Sequence, residues 1–234
     1  MSFNSEYFFE LINNITLTKP DIQQPRPYAL SCLNRTPRLH RAVTYLALLN
    51  SPWANRCKIS FDTIPERFTQ LINDSWATLQ AQMPAEEFAL VKANSPRYID
   101  IPGEPEADNW YYTSNASLVH SQCYIDYVTE SVTDIEFISE KAWKPMFSGQ
   151  LFVVLGPVGI IEYLNHIGVD TFGDIIDHTY DKEPDLRKKI GMIIQSLDQL
   201  MLQDLDQIWN ATYQRRLKNL ELMYSPEFQS LIKQ

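Results

Sequence analysis

Four short apolar runs, set apart by helix-forming stretches, limit what this chain can fold into more than any other feature. Tyr28 to Leu33 (YALSCL), Cys57 to Phe61 (CKISF), Ser121 to Thr129 (SQCYIDYVT) and Leu151 to Leu155 (LFVVL) have the length and composition of buried strands. After the first run, Thr36 as cap and Pro37 at the first helical position predict a helix to about Asn50 that buries Val43, Leu46 and Leu49. A second helix is expected from Glu66 to Leu79, and a third from Val158 to His166, stopped by Gly168. From Asp185 to about Tyr224 apolar residues such as Ile190, Ile193, Leu197, Leu200 and Trp209 keep the 3.6-residue period, which predicts a long C-terminal helix. A short amphipathic helix is expected at Tyr7 to Ile12, followed by a proline-rich loop to Pro27. Strand and helix in alternation define an α/β protein with parallel sheets.

Pro96, Pro102, Gly103 and Pro105 interrupt residues 94–115, the best candidate for a domain boundary. The expectation is two small Rossmann-like domains, 1–115 and 116–234, with a ligand in the cleft between them, beyond the carboxyl ends of the strands.

Charge narrows the partners. The chain carries 20 basic and 29 acidic residues, net −9. Residues 1–117 hold 10 and 12, net −2, and residues 118–234 hold 10 and 17, net −7. That balance disfavours sequence-blind binding to nucleic acid, which depends on neutralising phosphates. No apolar stretch reaches the ~20 residues that span a bilayer, and the start lacks the pattern of a signal peptide, so a cytoplasmic location is expected. Cys32, Cys57 and Cys123 have no metal-ligand spacing and read as buried thiols.

One cation stands at the wrong end of its helix. Ser139 can cap a helix starting at Glu140, and Glu140 suits the positive pole there, whereas Lys141 does not. Pro145 is expected to break this helix after a single turn bearing Lys141 and Lys144. Either the lysines are solvated and Glu140 pairs with one of them, or free backbone N–H groups and an ammonium converge on an anion such as phosphate. A second group of misplaced cations, Arg35, Arg38 and Arg41 with His40, follows the first strand. Its alternatives are an exposed basic helix start or a phosphate-facing patch across the cleft from Lys141.

Ile138-Ser-Glu-Lys141, a short helix, Ser148-Gly149 and the strand at Leu151 to Leu155 together resemble the donor-binding motif of GT-B glycosyltransferases. The pattern is similar to that of fucosyltransferases and still more to uncharacterised bacteriophage glycosyltransferase-like proteins. Those share Lys144-Pro145, Tyr163-Leu164, Gly168, Thr171-Phe172, Ile176-Asp177 and Tyr180-Asp181. The likeness covers about residues 120–200, and Pro145 departs from the fucosyltransferase motif. It implies a compact GT-B arrangement, with 1–115 as acceptor-side domain and 116–234 as nucleotide-sugar domain. It implies that Lys141 meets the donor pyrophosphate and Glu140 the ribose, with Glu130 nearby at a strand end.

The expected activity is therefore metal-independent transfer of a sugar from a nucleotide-sugar, the donor substrate, to a hydroxyl, with no further cofactor. Glu130, Ser139, Lys144 and the Arg35, Arg38 and Arg41 group join Lys141 and Glu140 as donor-binding candidates. His40, whose ordinary pKa is near neutral, and Asp62, after the second strand, are the candidate general bases. A hydroxymethylated base in phage DNA is one acceptor; a glycan, lipid or protein hydroxyl is another. In the phage case the location is the host cytoplasm. The alternative function is a non-catalytic binding or assembly module with a nucleotide-sugar fold. Asp204-Leu-Asp206, at i and i+2, is not read as a metal site.

Overall fold

The computed structural model describes residues 2–3, 22–64, 68–99, 116–226 and 228. In chain order it places β1 (Ser2–Phe3), β2 (Tyr28–Asn34), α1 (Leu39–Leu49), β3 (Cys57–Phe61), α2 (Thr69–Gln82) and α3 (Ala85–Ala93). Then follow α4 (Ala116–Gln122), β4 (Cys123–Thr129), β5 (Phe137–Ile138), α5 (Glu140–Phe147), β6 (Leu151–Leu155) and α6 (Ile160–His166). The chain closes with α7 (Leu186–Met201), α8 (Leu205–Ala211) and α9 (Tyr213–Tyr224). The expected helix at Tyr7–Ile12, the start of the Glu66 helix and residues 100–115 lie outside the described residues.

The main sheet is parallel throughout, with strand order β3-β2-β4-β6. Leu30 pairs with Cys57 on one side, Ser31 with Asp126 on the other, and Thr129 with Leu155 at the far end. This corrects the expectation of two sheets: strands from both halves of the sequence share one, and β2 and β4 are neighbours at its centre. Two strands alone make a marginal sheet, whereas joining the pairs completes the hydrogen-bond ladder of both. β1 and β5 form a separate two-stranded parallel pair.

Helices cover both faces of the sheet. The Tyr127 hydroxyl lies 3.5 Å from Thr44 of α1, while the carboxylate of Asp126 lies 3.3 Å from His120 of α4. Neighbouring residues on a strand face opposite ways, so α1 and α4 lie on opposite faces. α7 packs on α1, and α5 packs on β4, β6 and α9. β4 and β6 are buried along their whole length, as a sheet covered on both faces requires. Leu30, Ile125, Phe152, Val153 and Tyr45 fill the core, each worth about 1.5–3 kcal/mol if it follows the usual cost of exposure. Cys32, Cys57 and Cys123 are free and buried.

Four local expectations are corrected. α1 starts at Leu39, with Arg38 extended before it (φ −131°, ψ 153°), two residues later than Pro37 would have it. Its buried face carries His40, Arg41, Thr44, Tyr45 and Leu48, while Val43, Leu46 and Leu49 are half-buried at its edge. Pro145 does not break α5, because Trp143, Met146 and Phe147 are buried around it and packing outweighs one lost hydrogen bond. The long C-terminal helix is present as α7, of 16 residues, but it does not run on to Tyr224: α8 and α9 follow it, and Asp204 restarts the chain by accepting from the Gln207 N–H at 3.1 Å. Gly168 does end α6, with φ +93°.

Both ends of α5 are fastened. Ser139 caps its start, accepting from the Lys141 N–H at 3.3 Å. At its end Gly149 (φ +61°) packs so closely that a Cβ would lie 2.5 Å from Ile22. The Gly149 carbonyl accepts from Arg216 at 2.9 Å. Arg216 is fully buried; it also donates to Ile22 O, Trp209 O and Thr212 Oγ1, and stacks 3.3 Å from the Trp209 ring centroid.

Candidate functional site

In strand order β3-β2-β4-β6 the connections run outward in opposite directions from the junction of β2 and β4. Such a switch point opens a crevice beyond the carboxyl ends of the strands. The segments leaving β2 and β4 there are Arg35–Arg38 and Glu130–Ser131, and α5 begins beside them.

Glu130 holds this corner together. Its backbone N–H continues the ladder to Leu155 O at 2.9 Å. Its carboxylate accepts from the N–H groups of Ser131 and Ser139, each at 3.1 Å, and from the Ser139 hydroxyl. Its carbonyl accepts from Arg41 at 3.3 Å and lies 2.8 Å from His40 Nε2. One residue thus fixes the starts of both α1 and α5. Burial pushes its carboxyl pKa up, against the opposing pull of Ser139 and Lys141. Glu130 and Ser139, expected to touch the donor, are 0% and 1% exposed and point inward, so they position the site from below.

The cations gather around Ser131. Arg38 donates to the Ser131 carbonyl. Lys141 Nζ donates to the Ser131 hydroxyl at 3.2 Å and to Glu140 Oε1 at 2.7 Å. Burial raises the Glu140 pKa, but Lys141 and Lys144 outweigh it and hold the carboxyl below its usual range. Lys144 lies one helical turn along α5, in the combined field of Glu140, Lys141, Arg35 and Asp126. Arg41 is 4% exposed, and its Nε has no hydrogen-bond partner among the described residues. Burial and the neighbouring Arg38 push its pKa down to about 10, so it stays charged at neutral pH.

The candidate bases diverge. His40 is buried, and burial with Arg41 beside it pushes its pKa down to about 3. A ring so weakly basic, engaged with the Glu130 carbonyl, is placed to hold α1 rather than to take a proton. Asp62 stands at the carboxyl end of β3 in a left-handed conformation (φ 57°) and accepts from Trp76 Nε1 at 3.1 Å. Burial raises its pKa, the direction a base near neutral pH needs. Thr63, next to it, donates to the Arg35 carbonyl at 3.1 Å, which brings the β3 loop against the basic loop.

Ser131 escaped the sequence reading, although its place just past the β4 strand end, beside Glu130, was signal enough. Trp143 packs edge-on against Phe228 in the core. Asp204 and Asp206 are engaged separately, as a helix cap and with the Tyr124 hydroxyl. No group of three or more His, Cys, Asp or Glu arranged for a metal occurs among the described residues. No described helix is long and apolar enough to cross a membrane. No protein-family model, curated protein or solved structure matches the chain.

Proposed function

We propose that the crevice binds the diphosphate of a nucleotide-sugar and that the protein transfers the sugar to a hydroxyl acceptor, in the manner of GT-B glycosyltransferases. One observation carries the reading: Arg38 from the β2 loop and Lys141 from the start of α5 meet at Ser131, at the switch point of a parallel sheet. Anions bind where helix starts and strand ends converge, and Arg and Lys together suit phosphate oxygens. Arg38, Arg41, Lys141 and Lys144 would stabilise the charge that develops on the leaving diphosphate. Glu140, held ionised beside Lys141, would accept from ribose hydroxyls. Asp62 is the base this geometry favours for deprotonating the acceptor.

The acceptor remains a class: a glycan, lipid or protein hydroxyl, or a hydroxymethylated base in DNA. A gel shift with modified and plain duplex separates DNA from the rest, because phosphate contacts give a steep dependence on salt.

The main sheet, shared by strands from both halves of the sequence, favours a second reading, a non-catalytic nucleotide-sugar-binding module, since GT-B enzymes bring two sheeted domains together. Donor turnover decides between them. Incubating UDP-glucose and GDP-fucose with the protein and no acceptor should release free sugar slowly, and Lys141→Ala should abolish the release. Binding without release at any enzyme concentration supports the module; no binding of either donor overturns both readings.

A further inference from the structure

Beneath the crevice, on the α4 and α5 face of the sheet, lies a buried polar cluster that the donor reading does not use. Asp126 sits in the middle of β4, 4% exposed. One carboxylate oxygen accepts from Ser31 Oγ at 3.0 Å, its register partner on β2. The other lies 3.3 Å from His120 Nδ1 on α4. That approach is off the line of a hydrogen bond, and neither ring nitrogen of His120 makes a well-formed one among the described residues; the Gln150 side chain is its polar neighbour. α5 packs on β4, and its Lys144 acts electrostatically on both Asp126 and His120 while being attracted by Glu140 and Asp126. Cys123 on β4 and Cys32 on β2 lie in the field of the carboxylate, and Arg26, Arg41 and Cys57 act on those thiols in turn.

We propose that the Asp126–His120 pair is a proton-linked control of the anion site: holding one proton it is neutral, and losing it places a negative charge beneath Lys144 that weakens anion binding.

The pair is the natural seat of such a control. Burial disfavours both charged forms, raising Asp126 to about 7 and lowering His120 to about 3, so the proton resides on the carboxyl. Losing it near neutral pH sets up a competition for Lys144. With Asp126 neutral, Lys144 loses the pull of the carboxylate while Glu140, Lys141 and Arg35 still act on it, and the field in the crevice is one charge more positive. With Asp126 ionised, part of that field is cancelled from below. A unit charge roughly 10 Å from a dianion, at an effective dielectric constant of about 20 and screened over about one Debye length of salt solution, changes its affinity by about tenfold. The coupling is reciprocal: an anion in the crevice favours the protonated pair, so binding near neutral pH takes up a proton.

This inference rests on the crevice binding anions, and two probes keep the failures apart. Sulfate and UDP-glucose both keep their charge between pH 6 and pH 8. Calorimetry at the two pH values should give tighter binding at pH 6, by about tenfold, and proton uptake when repeated in buffers of different ionisation enthalpy. In Asp126→Asn the affinity should lose its pH dependence and stay at the tighter value. Equal affinity at both pH values with no proton uptake overturns the control, as does a pH dependence that survives in Asp126→Asn. Sulfate binding with the expected pH dependence but no UDP-glucose binding upholds the control and removes UDP-glucose as a donor. No binding of either probe overturns both. The uptake measurement needs only the wild-type protein, so the outcome does not depend on the variant folding.

Discussion

Arg38 and Lys141, from opposite halves of the sequence, donate to the same residue: Arg38 to the carbonyl of Ser131 and Lys141 to its hydroxyl. Ser131 lies 93 residues beyond Arg38, just past the end of β4, so the strand itself brings the two cations to one point. Each is held by an oxygen of Ser131, one of the backbone and one of the side chain. Neither is deeply buried, and Lys141 keeps 27% of its side chain exposed.

The first prediction separates binding from stability at these cations. Arg38→Ala and Lys141→Ala should each weaken nucleotide-diphosphate binding by roughly 10- to 100-fold, the usual worth of a hydrogen bond to a charged group. Their melting temperatures should stay within a few degrees of wild type, because exposed ion pairs contribute about 0–1 kcal/mol. Calorimetric titration and thermal unfolding check the two halves. A variant that melts early but binds normally would make the cations structural.

Glu130→Gln should behave in the opposite way. The carboxylate accepts from two N–H groups and a hydroxyl, and an amide would turn a donor toward at least one of them. The loss should be about 3–5 kcal/mol, as for breaking a buried charged network. Urea unfolding measures it; a loss below about 1 kcal/mol would show that the network adapts.

The pH dependence of stability should reveal the buried pair. Asp126, raised from 3.8 to about 7, stabilises the fold at low pH, and that contribution falls away as pH rises toward 7. His120, lowered from 6.5 to about 3, does the reverse: its contribution is complete above 6.5 and is lost as pH falls toward 3. Between about pH 4 and pH 6.5 the two slopes oppose each other. Removing one partner should uncover the other. Asp126→Asn should lose stability on acidification more steeply than wild type, and His120→Gln should lose it as pH rises from 4 to 7. His40, also lowered to about 3, adds an acid-side loss to all three proteins. Urea midpoints across this range give the slopes, and parallel curves would mean that the pair does not share a proton.

The strands were legible because each is an apolar run whose two faces are both covered, and β2, β3 and β6 fall where YALSCL, CKISF and LFVVL stand. Pairing was not legible. Nothing in a buried parallel strand names its neighbour, so whether β2 would lie against β4 was decided by packing over a long separation. The misplaced cations were legible as misfits to their helices, and the fold brings two of them, Lys141 and Arg38, to the same residue, Ser131. The inward turn of Glu130 and Ser139 was hidden, since a strand-end carboxylate looks the same whether it faces a ligand or a helix start. His40 misled for a similar reason: a histidine after a strand looks poised for proton transfer until burial and Arg41 make it a poor base.

The neighbouring arginines of α9 give the sharpest contrast in stability. Arg215 binds Asp170 and Asp174 with four hydrogen bonds, yet Asp174 is 65% exposed and water can replace each contact. Arg215→Met should therefore cost no more than about 1 kcal/mol. Arg216 is 0% exposed and donates to three carbonyls, two of which belong to Ile22 and to Gly149 at the end of α5. Arg216→Met would leave those carbonyls buried without donors and should cost about 3–5 kcal/mol. At about 2–4 °C per kcal/mol for a chain of this size, the melting temperature should fall by roughly 6–20 °C. Because Gly149 anchors α5, the Arg216 variant should also bind nucleotide-sugar less tightly at temperatures where it is still folded, whereas Arg215→Met should bind as wild type. Thermal unfolding and calorimetric titration of the two variants, side by side, read both effects. Equal melting temperatures would show that the buried guanidinium is replaceable, and equal affinities that α5 keeps its place without it.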